Sequence, residues 1–324
     1  MYGPVRQGDG NLPDLAYDIK GLVRVYRRRG QDPVYANNGI DLEVTRGVIQ
    51  GIFGPNGAGK STLIRQMVGL LWPTAGSIRL FGTDVVGSPD LIPTMVGYFG
   101  QRLSYLSAFT ALEFLQITGQ LRGMTGQTAR KQALGLIDTI GFGGRANRML
   151  RTYSGGEIRV ISVLSALMAR MPVVVLDEPT AELDPVMRQK VWDVLFSYNR
   201  DSGSTIVLVT HNVLEAEKVV DRVAIIDQGK VIADGSPASL LASMGDEVTL
   251  ELRLKPEVAE DMGDIPGWTR QRRELFTRSA PKTTATRILY EVTGILPKDS
   301  VEDARLVTPT LEDFYVKAVG REWK

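Results

Sequence analysis

Cysteine is missing from all 324 residues, which excludes a disulfide framework, a cysteine-ligated zinc site and a thiol nucleophile. The chain suits a reducing compartment without requiring one. Neither sign of charge dominates: 38 basic residues stand against 37 acidic ones, so no global field draws the protein to nucleic acid or a membrane surface. No run approaches roughly 18 consecutive apolar residues, so no segment reads as a membrane-spanning helix. A membrane role would have to come from another polypeptide. Met1 to Asp18 lacks the apolar core of a signal peptide. What remains is ordinary globular composition, 43% hydrophobic, in a chain long enough for one large domain and a small one.

The most informative stretch is Gly54-Pro55-Asn56-Gly57-Ala58-Gly59-Lys60-Ser61-Thr62. It fits the spacing G-x-x-x-x-G-K-[ST]. Val48 to Phe53 before it reads as a buried strand. Leu63, Ile64, Met67, Val68 and Leu71 after it recur at helical spacing. Glycines in that position let the backbone wrap phosphates with its N–H groups pointing inward, and the helix start adds partial positive charge. Lys60 can reach β- and γ-phosphates, and the Ser61 hydroxyl can ligate Mg²⁺. The loop alone specifies a nucleoside triphosphate and no more.

Residues 1–16 hold Gly, Pro, Asp and Asn and are expected to form a loose leader. Ile19, Leu22, Val23 and Val25 suggest a strand ending at Tyr26, followed by Arg27, Arg28, Arg29 and Gly30. Tyr26 is either a surface aromatic or a ring for a nucleotide base. Ile40, Leu42 and Val44 give a second strand, and Ser77 to Gly82 a third. Gln101 closes an apolar run and is either a surface amide or a group that ligates Mg²⁺ or orients water. Residues 108–122 and 126–140 read as helices inserted between core strands.

Ser154-Gly155-Gly156-Glu157 precedes an apolar helix. Ser154 as N-cap and Glu157 three residues on make a capping box. Two glycines at a helix start cost about 1 kcal/mol each relative to alanine, so a second phosphate-facing helix end is the competing reading. Val173 to Leu176 is a run for a buried parallel strand, ending in Asp177 and Glu178. Carboxylates at such a strand end sit where open α/β sheets bind ligands. Asp177 is assigned to Mg²⁺, and Glu178 to the general base for an attacking water. Thr205 to Thr210 forms another buried strand, ending at His211, the one histidine of the chain, which can hydrogen-bond a γ-phosphate. Gln228-Gly229 reads as a hairpin turn.

Past Gly245 the pattern changes. Val248, Leu250, Leu252 and Leu254 alternate as a half-buried strand, and Ile288, Tyr290 and Val292 read as another. The basic stretch from Arg270 to Arg287 reads as a solvated loop. Thr310 to Asp313 reads as the cap of a terminal helix. These residues, 246–324, are expected to form a small C-terminal α/β accessory domain.

The order of phosphate loop, Gln101, Ser154-Gly155-Gly156-Glu157, Asp177-Glu178, Asp184 and His211 resembles the ATP-binding subunits of ATP-binding-cassette (ABC) transporters over residues 17–240. The wording of the phosphate loop and the tail Pro309 to Tyr315 resemble the bacterial drug- and polysaccharide-export branch. The resemblance implies an α/β fold. Its parts are a P-loop NTPase core with a mainly parallel sheet, an antiparallel β subdomain, and a helical insertion at about 102–170 within an ATPase domain spanning 17–245. It implies an ATPase with ATP and Mg²⁺ as cofactors. Tyr26 would stack on adenine, and Ser61, Gln101 and Asp177 would hold the metal. Glu178, His211 and Gln101 would serve catalysis. Ser154, Gly155, Gly156 and Glu157 would face the nucleotide of a second copy, with Asp184 bridging the two. The implied partners are a transmembrane permease subunit and a second copy or homologous ATPase subunit, head to tail, at the cytoplasmic face of the cell membrane. The chain departs from the family at Tyr153, where leucine is common, at Glu157, where glutamine is common, at Gly100, often proline, and at Ala181-Glu182, usually a small residue and glycine.

Two other readings are a soluble ABC ATPase acting on nucleic acid or ribosomes, and a switch that binds ATP without hydrolysis. The first would be marked by tandem cassettes, zinc-binding cysteines or a long coiled coil, none of which the sequence carries. The second is opposed by the presence of both Glu178 and His211.

Overall fold

The computed structural model describes residues 14–27, 29–100, 108–210, 213–261, 264–297 and 299–319. These fall into two compact units that divide between Pro237 and Ala238, ahead of the expected boundary between residues 245 and 246. Gln101, His211, Arg28 and most of the expected leader lie outside the described residues. Leu15 and Ala16, expected in the leader, belong instead to the first strand. Leu15 already pairs with Thr45, and Ala16 is fully buried, so the strand begins there.

The first unit runs β1 (Leu15–Tyr26), β2 (Val34–Thr45), β3 (Ile49–Phe53), α1 (Lys60–Met67), β4 (Ala75–Leu80), β5 (Thr83–Asp84), α2 (Leu91–Met95) and β6 (Val96–Phe99). It continues through α3 (Ala111–Leu121), α4 (Gly126–Thr139), α5 (Gly155–Leu167), β7 (Val173–Asp177), α6 (Pro185–Ser202), β8 (Thr205–Val209), α7 (Val213–Ala216), β9 (Arg222–Asp227) and β10 (Lys230–Gly235). One sheet has the order β10-β9-β3-β8-β7-β6, parallel throughout except for β10. Strands β3, β7 and β8 are buried along their whole length, which is why they read as largely apolar runs, with Gln50 of β3 a buried exception. A second sheet, β2-β1-β4-β5, is antiparallel.

Between the two sheets lies one core. Leu63, Ile64 and Met67 of α1 join Tyr17, Ile19 and Leu22 of β1, Ile40, Leu42 and Val44 of β2, and Val173, Val175, Val207 and Val209 of the parallel sheet. The period-two alternation decides the faces: odd-numbered positions of β7 and β8 point into this core, and Val174, Leu176, Ile206 and Leu208 point to the other side. Tyr17 donates its hydroxyl to the Met67 carbonyl at 3.1 Å, and burial pushes its pKa far up. The ends of β3 and β7 are thereby fixed beside the start of α1.

The second unit begins in α8 (Pro237–Ala242), which spans the division. It continues through β11 (Glu247–Leu254), α9 (Pro256–Asp261), β12 (Thr269–Arg270), β13 (Leu275–Pro281), α10 (Lys282–Ile295), β14 (Val301–Val307) and α11 (Leu311–Val319). Its antiparallel sheet has the order β12-β13-β11-β14. Strand β11 alternates as expected, with Val248, Leu250, Leu252 and Leu254 inward. Two expectations fail here. The basic stretch is no loop: it forms β12, β13 and the start of α10, with Phe276 and Ala280 buried, Arg278 half-buried between them opposite Leu250, and Arg270 laid over the Phe276 ring. Ile288, Tyr290 and Val292 lie in α10, not in a strand. Ala285, Ile288, Leu289 and Val292 form the inward face at helical spacing, while Tyr290 is 81% exposed. Beside β13, the other strand next to β11 is β14, reached after the helix.

Candidate functional site: a phosphate loop facing two carboxylates

The chain leaves β3 at Phe53, crosses the glycine-rich loop and enters α1 at Lys60. Gly59 caps that helix with φ +105° and no side-chain cap bond, so the first-turn N–H groups stay available to an anion. A Cβ at Gly59 would fall on the Ala36 carbonyl oxygen, and one at Gly54 on that of Ile226. Close backbone approach, as much as positive φ, demands glycine at both positions.

Lys60 is 7% exposed, and its Nζ donates to the carbonyls of Gly54 at 2.6 Å and Pro55 at 2.9 Å. Burial lowers its pKa below that of an ordinary lysine, and Glu178 and Asp177 pull it partly back up. Ser61 Oγ donates to Asp177 Oδ1 at 3.4 Å. Burial raises the Asp177 pKa, against the lowering effect of the Ser61 hydrogen bond. A hydroxyl and a carboxylate facing a phosphate cradle are the hard-oxygen donors that suit Mg²⁺, which takes one or two protein oxygens and completes its shell with phosphate and water. Among the described residues no group of three His, Cys, Asp or Glu forms a cage that would hold a metal without the nucleotide.

Glu178 follows directly, 8% exposed, with φ +55° and its N–H bonded to the Val209 carbonyl at 2.9 Å. A left-handed glutamate at a strand end is a strained backbone of the kind found at functional sites. The structure thus brings Lys60, Ser61, Asp177 and Glu178 together around the phosphate loop, at the carboxyl ends of β3 and β7.

Tyr26 ends β1, 37% exposed, paired with Val34. The guanidinium of Arg24 lies over its ring, 5.0 Å from the centroid. Three residues beyond Val34 on the same strand, Asn37 reaches Gly59, so Tyr26 pairs with a strand that touches the phosphate loop.

Ser154 to Glu157 lies elsewhere. Ser154 caps α5 and closes the capping box with Glu157, at 3.3 Å and 2.9 Å. Arg145 bonds the Glu157 carboxylate and, with the Ser154 backbone, holds it below the usual carboxylate range. Arg145 also covers the rings of Phe142 and Tyr153. Tyr153 is buried, and its hydroxyl donates to the Arg145 carbonyl, which accounts for a tyrosine at this position. Among the described residues no hydrogen bond or ion pair joins residues 154–157 to residues 54–62. Asp184 caps α6, accepting from Val186 N at 2.9 Å and Met187 N at 3.0 Å. Glu182, where the resembled family usually carries glycine, adopts φ +62°, the conformation that glycine takes without strain.

Three supporting residues escaped the sequence reading. Asn37, fully buried, donates to the Gly59 carbonyl at 3.2 Å and accepts from Gln66 at 2.6 Å, so α1 and β2 lock the loop between them. The third is Arg159, 8% exposed, which donates from α5 to the Glu178 carbonyl at 3.0 Å. The only sequence signal was, for Arg159, a charged residue inside an otherwise apolar helix pattern. The β9–β10 hairpin adds a clamp: Gly229 N donates to the Ala58 carbonyl at 2.9 Å, and Asn38 N to the Gly229 carbonyl at 2.8 Å.

A loop that cradles phosphates, beside a serine and two strand-end acids, defines a P-loop nucleotide-binding protein. The ABC transporter family model matches residues 37–181. The daunorubicin/doxorubicin resistance ATP-binding protein DrrA of Streptomyces peucetius is 41% identical over 242 residues, covering 75% of this chain and 71% of that protein. The daunorubicin resistance ATP-binding protein DrrA3 of Streptomyces coeruleorubidus is 34% identical over 316 residues, 95% of this chain and 97% of its own, and so spans both units. Among solved structures, a dimeric post-hydrolysis state of the ATP-binding cassette MJ0796 with ADP and Pi matches at a TM-score of 0.62 and 25% identity, over 68% of this chain and 98% of that one. The chain belongs to the ABC transporter family as one of its ATP-binding proteins. No described helix is long and apolar enough to cross a membrane.

Proposed function

We propose that this chain is the ATP-hydrolysing subunit of an exporter, acting as a head-to-tail pair beneath a separate transmembrane permease at the cytoplasmic membrane face. The observation that carries the reading is the convergence of Lys60, Ser61, Asp177 and Glu178 on one phosphate loop. Loop N–H groups and Lys60 bind the β- and γ-phosphates. Ser61 and Asp177, with Gln101, are the residues that would hold Mg²⁺, which supplies charge neutralisation on the phosphate oxygens. Glu178 accepts a proton from the attacking water as the water oxygen bonds to the γ-phosphorus and the bond to the ADP oxygen breaks. His211 donates to the γ-phosphate. Export is supported by the drug-resistance relatives, and the paired state by the dimeric cassette. Ser154 to Gly156 would close over the partner copy's nucleotide, which accounts for their separation from their own loop. The second unit serves contact with the permease or the second copy.

Glu178→Gln tests this. Losing a general base slows hydrolysis by about 10²–10⁴-fold. The variant also lacks a charge near the γ-phosphate, so it should accumulate as a dimer in Mg²⁺-free ATP on size-exclusion chromatography. Adding Ser154→Arg should return it to monomer with ATP binding intact. A Glu178→Gln protein that stays monomeric at saturating ATP, with or without its membrane partner, refutes the shared site.

A further inference from the structure

We propose that Arg159 is the positioning residue that couples the two nucleotide sites of the pair, by tying the Ser154–Glu157 helix to the catalytic loop of its own chain. This rests on the head-to-tail reading above. In that reading the two ends of Arg159's contacts serve different nucleotides: α5 begins at the partner copy's ATP, and Glu178 acts on its own.

The geometry is specific. Arg159 lies on the first turns of α5 with its side chain 9% exposed. One Nη donates to the Glu178 carbonyl at 3.0 Å, and the other stands 3.8 Å from the Glu182 carboxylate. Both residues it reaches are left-handed, Glu178 at φ +55° and Glu182 at φ +62°, so it meets two strained points of one short loop, the first by a hydrogen bond and the second by a looser ion pair. A second contact runs in parallel: a Cβ at Gly156 would meet Leu183 Cδ2 at 3.3 Å, so the helix start packs on the same loop. Guanidinium is the group that can do this, because its planar fork donates in two directions while keeping its charge. The 87% exposed Glu182 carboxylate lies two residues before Asp184, and it is the arm a second copy could displace. When α5 is drawn onto the partner's nucleotide, Arg159 carries the shift to the backbone that aims the Glu178 carboxylate. A purely structural arginine would need only the carbonyl.

The test uses the full chain with Mg·ATP and three variants: Arg159→Gln, Arg159→Lys and Glu182→Gln. Four readouts are taken: ATP-analogue binding to monomer, kcat, the Hill coefficient of hydrolysis, and ATP-dependent dimerisation in a Glu178→Gln background. Wild type should show positive cooperativity in ATP. For Arg159→Gln, monomer binding should stay within about twofold, kcat should fall roughly 5–150-fold, the span of ordinary coupling energies, and the Hill coefficient should drop to about 1. Arg159→Lys should restore part of kcat, since an ammonium can still donate to the Glu178 carbonyl. Glu182→Gln should keep kcat within a few-fold but lower the Hill coefficient. If Arg159→Gln fails to fold, the lysine and Glu182 variants decide the matter. A folded Arg159 variant with wild-type kcat and cooperativity overturns the proposal, as does one that loses only thermal stability. Failure of the Glu178→Gln chain to dimerise would instead refute the head-to-tail reading, so the two failures are separate.

Discussion

Lys60→Ala probes two tasks that the structure assigns to one ammonium. In the structure, Nζ bridges the carbonyls of Gly54 and Pro55. Hydrogen bonds from a charged donor contribute about 1.5–3 kcal/mol each, and truncation leaves two carbonyls without that donor. Against this, the ammonium is held in a buried site that lowers its pKa, so its removal also relieves desolvation. The terms oppose, and the nucleotide-free melting temperature should change by only a few degrees, at about 2–4 °C per kcal/mol for a domain of this size. Nothing offsets the loss once ATP is the ligand. A unit charge about 4 Å from a phosphate is worth up to about 4 kcal/mol at an effective dielectric constant of 20, near a thousandfold in affinity. Titration with a fluorescent ATP analogue should show that fall. Because burial lowers the Lys60 pKa, the ammonium is lost at a lower pH than a solvated lysine would be. Wild-type affinity should therefore decline as pH rises through that value, and the variant should lack the decline. Binding as tight as wild type, with a normal melt, would refute the placement of the phosphates.

Tyr26→Ala should weaken ATP about 5–150-fold, the equivalent of about 1–3 kcal/mol for one base stacked on an aromatic ring, and should leave inorganic tripolyphosphate binding unchanged. Tyr26→Phe should behave as wild type, and equal losses for both ligands would show that the ring meets no base. Asp177→Asn should uncouple stability from activity. An acid whose folded pKa is raised contributes its stability below its unfolded value and loses it as pH rises through the folded one. At neutral pH the buried carboxylate is therefore a cost. The nucleotide-free variant should melt higher near pH 7, with the gain vanishing in acid, while Mg²⁺-dependent hydrolysis is lost. A lower melting temperature at neutral pH would show that the Ser61 hydrogen bond outweighs the burial.

The phosphate loop was legible because its chemistry is written in backbone demands. A loop that must approach Ala36 and Ile226 closely excludes a Cβ at Gly59 and Gly54, and this fixes glycine at set spacing. The strands beside it were legible because burial on both faces leaves them few polar positions, Gln50 of β3 among them. Ser154 and Glu157 showed their capping box because its partners lie three residues apart. Asn37 and Arg159 were not legible. Asn37 acts on Gly59, 22 residues away, and Arg159 on Glu178, 19 residues away, and the residues around neither one name a partner at that distance.

The second unit shows where periodicity itself misleads. Ile288, Tyr290 and Val292 satisfy a period of two, but three points span too little chain to separate it from 3.6. Tyr290 is the deciding residue: on a half-buried strand it would share the inward face with Val292, yet it is 81% exposed. Widening the window brings in Ala285, Leu289 and Leu296, and only the helical period then collects all the buried positions. The basic stretch misled for a related reason. On β13 the inward face is Phe276, Arg278 and Ala280, so an arginine interrupts the apolar alternation and the stretch reads as loop until the pairing with β11 sets Arg278 opposite Leu250. Charge marks a face only once the partner strand is known, and that partner, β11, lies across α9 in the sequence.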